Sequence, residues 1–235
     1  GEQVLSEDGK RQILKGIIQE MELEYEDEEE FIRQIMQEIT LVKSEYIDLQ
    51  HYYSTSCGEE EFRSVYRRYE ERLQKERRID FDDMLVYTYE LLKERPDILA
   101  MWQKKYQYIL IDEFQDINRI QYEIIRMLAG KPANLFIVGD DDQSIYRFRG
   151  ARPEIMLGFP EDYPTAKRIL LNVNYRSGRE IVEGGLRMIG NNTRRFAKNI
   201  QSEQPYMHPI VIHELKSNRE ESHDVLEKIR AYQAK

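Results

Sequence analysis

The apolar positions of this chain follow two different periods. Over the first hundred residues they recur every three or four positions. Ile13, Leu14, Ile17, Ile18 and Met21 predict an amphipathic helix over 6–23, with Ser6 at its start. Ile32, Ile35, Met36 and Ile39 predict a second helix from Phe31 to about Val42, followed by loop and a short helix over 43–58. Phe62, Val65, Tyr66, Tyr69 and Leu73 share one face of a third, from Glu59 to about Arg78. A fourth runs from Phe81 to Leu92, capped by Asp80 and followed by Pro96.

Beyond residue 100 the apolar residues come in short unbroken runs: "YILI" (108–111), "LFIV" (135–138) and "RILL" (168–171). A helical stretch over 117–129, closed by Gly130 and Pro132, lies between the first two. Runs apolar on both faces and spaced this way predict parallel strands covered by helices. A fourth run, "IVIHEL" (210–215), leads into a last helix over about 218–233, while 191–208 is polar, lacks a period and reads as linker or loop.

Composition narrows the class. Charged residues make up 34% and hydrophobic ones 40%, with no apolar run near the ~20 residues of a membrane span. A single cysteine, Cys57, excludes an internal disulfide framework, fits a reducing cytoplasm and reads as an incidental thiol. The leading Gly, without Met or a signal pattern, reads as a tag scar on an excised piece. A net charge of −9 argues against a protein that binds nucleic acid with its whole surface, but leaves room for a local basic track. Charge is segregated: 20–30 are almost wholly acidic, and 63–78 are rich in Arg and Lys. That basic helix reads as a solvated face with Arg–Glu pairs, with phosphate contacts as the alternative.

Three stretches carry candidate chemistry. In "YILIDEFQD" a strand run ends on Asp112 and Glu113. Ligands of parallel α/β sheets sit outside the carboxyl ends of the strands. Paired carboxylates there can hold Mg²⁺ and orient or deprotonate a water. A plain solvated turn reads equally well from those residues alone. In "VGDDDQSIYRFRGA" Gly139 permits a tight turn, and the Gln143 amide can both donate and accept at a phosphate or its attacking water. Tyr146 and Phe148 offer faces on which bases stack, and Arg147 and Arg149 can meet phosphates. Core aromatics and solvated arginines are the bland alternative. In "LNVNYRS" Tyr175 can stack and Arg176 can reach a phosphate, although an ordinary helix cap has the same residues.

Taken together and in this order, "LIDEFQD", "VGDDDQSIYRFRGA" and "LNVNYRS" closely resemble motifs II, III and IV of superfamily 1 DNA helicases of the UvrD/Rep/PcrA type, and "IDFDDML" (79–85) is also similar to that family. The resemblance covers about 60–185. It implies an α/β fold: an incomplete RecA-like parallel sheet with helices on both faces, preceded by an all-helical subdomain. It further implies a helical insertion over 1–100, part of the first motor domain over 101–190, a linker over 191–207 and the start of a second motor domain over 208–235.

The activity implied is ATP-dependent 3′→5′ translocation on single-stranded DNA, with ATP and Mg²⁺ as cofactors, single strands and duplex junctions as partners, and a cytoplasmic location in repair, replication or recombination. By matching position, Asp112 would bind Mg²⁺ and Glu113, also beside the metal, would be the catalytic base. Gln143 would sense the γ-phosphate, and Arg149 would link the ATP site to the DNA track. Tyr175 would stack near the adenine, Arg176 would act as an arginine finger, and Tyr146 and Phe148 would face DNA. Gln115 and Asp116 complete the first motif with less distinct roles.

One part of the family pattern is missing. The phosphate-cradling loop G-x-x-x-x-G-K-[ST] does not occur; "DGKRQ" and "AGKPA" lack both the upstream Gly and the following Ser or Thr. The expectation is a central fragment of a larger helicase that does not hydrolyse ATP by itself. Its sheet would be left with a gap or edge between the strand ending at Gly139 and that at 168–172, open to self-association. A subunit of a recombination helicase–nuclease and a truncated, non-catalytic single-stranded-DNA-binding module are the competing readings.

Overall fold

Ser6 begins the first helix by accepting the Gly9 N–H at 3.2 Å, and α1 runs Glu7–Glu20. A computed structural model describes residues 3–145 and 150–234. Asp27 caps α2 (Glu28–Ser44), whose first turn carries three glutamates that suit the positive end of the helix. A 3-10 turn at Leu49–His51 leads to α3 (Glu59–Glu76), which ends on Arg77 in a left-handed conformation. The predicted faces are the ones buried. Leu14, Ile17, Ile32, Ile35, Ile39, Phe62, Val65 and Tyr69 are fully enclosed in one core. Each such side chain contributes on the order of 1.5–3 kcal/mol by leaving water. On the polar side of α3, Arg63 pairs with Glu59 and Glu60, and Arg72 pairs with Glu20.

This core also encloses charge. Asp80 caps α4 (Phe81–Glu94) in a reciprocal box: its carboxylate accepts the Asp83 N–H at 2.8 Å, and Asp83 accepts the Asp80 N–H at 2.9 Å. Lys43 lies 2.9 Å from Asp80, 2.6 Å from Asp83 and 2.8 Å from Glu70. Lys10 is 3.6 Å from Asp80 and 3.3 Å from Asp82, and the Tyr69 hydroxyl donates to Asp80 at 2.9 Å. Burial would raise Asp80, but Lys43 and Lys10 outweigh it and hold the group at about 2. Burial pushes Asp83 up to about 6, since Lys43 only partly offsets it and the Asp80 charge adds to the rise. Burial alone would lower Lys43, yet its three carboxylate partners drive it well above the ordinary lysine range.

Short elements follow. β1 (Gln3–Val4) pairs in parallel with β2 (Arg78–Ile79), fastening the entry of the chain beside the start of α4. α5 (Pro96–Lys105) begins on a proline, whose missing N–H costs nothing at a helix start. β3 (Ile109–Ile111) and β4 (Leu135–Ile137) form a parallel pair in the register Ile109↔Leu135, Leu110↔Phe136 and Ile111↔Ile137. The crossover between them is α6 (Arg119–Ala129), capped by Asn118 and Gln121. α7 (Pro153–Asp162) covers the same side. Ile111, Leu135 and Ile137 pack there against Phe114, Tyr122 and Phe159. On the opposite face Leu110 is 71% exposed and Phe136 55%. The fold is thus mixed α/β with short parallel pairs, as expected of a partial RecA-like sheet beside a helical part.

The chain divides into two compact units, Gly1–Ala166 and Lys167–Lys235. In the second, β5 (Val173–Asn174) pairs in parallel with β6 (Gln201–Ser202), and α8 (Arg179–Ile189) and α9 (Asn218–Gln233) are its helices. Two sequence expectations fail here. "RILL" (168–171) and "IVIHEL" (210–215) form no strand. Ile169, Leu171 and Ile212 are 77%, 80% and 89% exposed. An apolar run becomes a strand only when a neighbour completes its hydrogen bonds and a layer covers its face. Among the described residues of this unit, no hydrophobic side chain is buried to supply that layer. Within 191–207, Gln201–Ser202 form β6. No helix among the described residues is long and apolar enough to cross a membrane.

Candidate active site

Because β3 and β4 are parallel neighbours, the residues that follow them emerge side by side. Asp112 and Glu113 come directly after β3 and are both exposed. The Glu113 N–H donates to the Asp112 carboxylate at 2.9 Å. Glu113 adopts φ 51° and ψ 39°, a left-handed conformation uncommon for a side chain larger than Asn. Such a residue costs on the order of 1 kcal/mol or more and persists where its surroundings enforce it. Here the enforcement comes from the 3-10 turn Phe114–Asp116. Phe114 is fully buried, edge-on to Tyr122 and Phe159, and its N–H donates to the Val138 carbonyl at 2.9 Å.

The turn after β4 locks onto this one. The Val138 N–H returns a bond to the Ile111 carbonyl at 2.8 Å. A Cβ on Gly139 would lie 2.6 Å from Gln115 Oε1, 3.1 Å from the Phe114 nitrogen and 3.2 Å from that of Gln115. Glycine is needed for this close approach rather than for a special φ. Asp140 caps a second 3-10 turn, Asp141–Gln143, by accepting the Asp142 N–H at 3.2 Å. Gln143 is exposed, and its amide donates to Asp140 Oδ2 at 2.8 Å.

Gln115 lies between the turns with 1% exposure. Its Nε2 donates to Glu113 at 2.7 Å and to Asp116 at 3.3 Å, and its Oε1 accepts the Asp140 N–H at 3.0 Å. The Ser144 hydroxyl donates to the Gln115 backbone carbonyl at 3.2 Å. The fold therefore brings Asp112, Glu113 and the Gln143 turn together at one end of the β3–β4 pair.

Past the turn, Gly150 takes φ 84° where a Cβ would lie 2.7 Å from the Ser44 hydroxyl. Arg152 then bonds Glu45 at 2.7 Å. Burial nevertheless raises the Glu45 carboxyl above its usual range, outweighing Arg152. Tyr146, Phe148 and Arg149 lie outside the described residues, as does Arg147. Tyr175 and Arg176 belong to the second unit, exposed on a turn set by Asn174, whose side chain accepts the Arg176 and Ser177 N–H groups at 3.0 and 2.8 Å.

The donor set suits a hard cation. Asp112, Glu113, Asp116, Asp140, Asp141 and Asp142 crowd carboxylates into two adjacent turns. A divalent ion between these carboxylates and a phosphate would favour its binding there. No three His, Cys, Asp or Glu side chains among the described residues converge into a metal site. Mg²⁺ held here would draw its other ligands from water and phosphate oxygens, its usual habit.

Sequence reasoning missed the role of Gln115 and the buried lysine network. For the network a signal existed: Ile13 and Leu14 lie three and four residues after Lys10, and Ile39 lies four residues before Lys43. For Gln115 there was none, since its partners come from two separate turns.

Comparison with known proteins bears on the family of the chain. Residues 2–164 match the model of the UvrD/REP helicase N-terminal domain. The chain is 42% identical over 177 residues to a putative ATP-dependent DNA helicase, YjcD, of Bacillus subtilis, covering 75% of this chain and 23% of that protein. It is 36% identical over 231 residues to a probable DNA helicase II homolog of Mycoplasma capricolum, covering 97% of this chain and 32% of that protein. Against the ATP-dependent DNA helicase PcrA of Bacillus subtilis it is 39% identical over 194 residues, covering 81% and 26%. The chain thus spans about a quarter to a third of the length of these curated relatives. By the family model and by these identities, the chain belongs to the UvrD/REP helicase family.

Proposed function

We propose that this chain is part of an ATP-dependent DNA helicase that translocates 3′→5′ on single-stranded DNA. The observation that carries the proposal is the juxtaposition of Asp112 and Glu113 with the Gln143 turn at the carboxyl ends of parallel neighbours. That is where α/β sheets place their ligands. In this reading 1–100 form a helical insertion, 101–190 part of the first motor domain, 191–207 a linker and 208–235 the start of the second.

Mg-ATP, when bound, supplies the phosphoryl group that passes to water. Asp112 would hold the metal. Glu113 takes the proton of the attacking water. Gln143 exchanges its bond to Asp140 for one to the terminal phosphate. Arg176 and Arg149 contribute positive charge to the phosphates, and Tyr175 stacks on the base of the nucleotide. Tyr146 and Phe148 stack on DNA bases, a contact worth ~1–3 kcal/mol per base.

The chain has no phosphate-cradling loop. Alone it has nothing to hold the β- and γ-phosphates over the acidic turns, and its own ATP hydrolysis is negligible. The exposed Leu110 and Phe136 on one face of the β3–β4 pair, to which no further strand is added among the described residues, make the isolated chain prone to pair with a second copy.

The test is ATPase activity of the full-length protein containing this chain, with and without single-stranded DNA, beside its Glu113→Gln variant. DNA stimulation that the variant loses by ~10²-fold or more fits a general base. A well-folded protein that binds DNA without stimulated hydrolysis refutes the motor reading and favours a non-catalytic DNA-binding module.

A further inference from the structure

Gln115 is an unusual residue to bury between two acidic turns. Its amide is 1% exposed, and each end meets a partner of the matching kind. Nε2 faces the carboxylates of Glu113 and Asp116, which only accept; Oε1 faces the Asp140 N–H, which only donates. Turning the amide over would set oxygen against carboxylate and N–H against N–H, so this orientation is the one its neighbours permit. Glu113, by contrast, is exposed on a left-handed backbone. A long exposed carboxylate has free rotamers, and a base must be held where its water will be. Gln115 is the rigid group that touches it.

The same side chain also meets the other turn. It accepts the Asp140 N–H, its own backbone carbonyl receives the Ser144 hydroxyl, and Gly139 has no Cβ because Gln115 Oε1 fills that space. One buried amide therefore touches Glu113 and Asp116 and also the segment that carries Gln143.

We propose that Gln115 is a positioning residue: it aims the Glu113 carboxylate and fixes its register to the 139–144 turn, so that the base and the phosphate-sensing amide act in one geometry. This rests on the helicase reading of Glu113 and Gln143 given above. It assigns Gln115 no contact with substrate. Its effect therefore falls on turnover and passes through Glu113.

The experiment is steady-state ATPase of the full-length protein with saturating single-stranded DNA, for wild type, Glu113→Gln, Gln115→Met, Gln115→Glu and the Glu113→Gln/Gln115→Met double variant. Gln115→Met keeps the shape and removes both bonds; Gln115→Glu keeps the acceptor for Asp140 and puts an oxygen against Glu113. Folding is read by thermal melting, and DNA affinity by fluorescence anisotropy. The expected result is a kcat loss of roughly 10- to 100-fold in both single Gln115 variants, with KM for ATP and DNA affinity within about two-fold of wild type. The double variant should be no slower than Glu113→Gln alone, because the second change removes help for a base already gone.

Unchanged kcat in either folded Gln115 variant overturns the proposal, as does a double variant slowed multiplicatively. Melting of both Gln115 variants at the assay temperature assigns the residue to the scaffold alone and also overturns it. If Glu113→Gln itself turns over like wild type, the reading of the site has failed first, and the aim of Gln115 with it.

Discussion

Two aspartate-rich segments of this molecule have nearly the same chemistry and opposite surroundings. At 80–83 the carboxylates of Asp80 and Asp83 are buried among Lys43, Lys10 and Tyr69. At 112–113 the carboxylates of Asp112 and Glu113 are exposed, and neither is paired with a lysine or arginine among the described residues. Buried charge survives only when it is compensated at close range. Compensated charge is already satisfied and works as structure: it caps α4 and joins it to α1, α2 and α3. Exposed charge at the end of a sheet, with no lysine or arginine partner among the described residues, would be available to a cation brought by a ligand. The difference lies in the neighbours each fold position supplies, not in the residues.

The sharpest way to break the comparison is to take the compensation away. Lys43→Ala leaves Asp80, Asp83 and Glu70 without their shared cation. Breaking a buried pair from one side costs about 3–5 kcal/mol. Equilibrium denaturation of the chain should show a loss in that range. A loss under ~1 kcal/mol would place the cluster in the class of surface pairs.

Next in size is Gly139→Ala, which acts on the exposed pair's own frame. The new methyl meets Gln115 Oε1 and two backbone nitrogens that cannot swing aside. Overpacking of this kind costs about 1–3 kcal/mol. The same melt should register it, along with faster amide exchange at Phe114 and Asp140, whose N–H bonds hold the two turns together.

A smaller effect is the pH dependence of the buried cluster. Asp83 is raised to about 6 in the fold, so its contribution is fully present below the ordinary carboxylate value and is lost as pH climbs to about 6. Asp80 is held at about 2, so its contribution is present above the ordinary value and is lost as pH falls toward 2. Melting temperature should therefore decline from pH 4 to 6.5 through Asp83 and fall again below pH 4 through Asp80. Asp83→Asn should flatten the upper limb and leave the lower one. An unaltered upper limb in that variant would show that other groups set it.

The smallest effect concerns the open flank of β3–β4. Leu110→Lys with Phe136→Lys places charge on the exposed face and should reduce any concentration-dependent association of the chain in sedimentation, while shifting its melting temperature by only a degree or two. Association that persists unchanged would move the contact elsewhere.

How much of this was legible beforehand follows from the range of the interactions involved. The helix faces of α1, α2 and α3 were readable because a 3.6-residue period encodes burial within one element. The cap at Asp80 was readable because its partner is three residues away. Asp112, Glu113 and Gln143 were readable as a motif, since their places at strand ends follow from where the apolar runs stop. The strands at 168–171 and 210–215 were misjudged because apolar content shows a wish for cover and not the cover itself. Gln115 was legible only as part of its motif, without a distinct role, because its value depends on Asp140, 25 residues away.

By itself, then, the sequence determined the helical faces, the caps, the alternation of two strands around α6, and the family, through short motifs whose order needs no coordinates. Only the tertiary structure decided which carboxylates are buried beside lysines and which are exposed, which apolar runs find a layer, and which buried amide joins the two acidic turns. The reason is physical. Periods and caps are local and repeat along the chain, whereas compensation, cover and a shared hydrogen-bond partner depend on groups that meet only after the chain has folded.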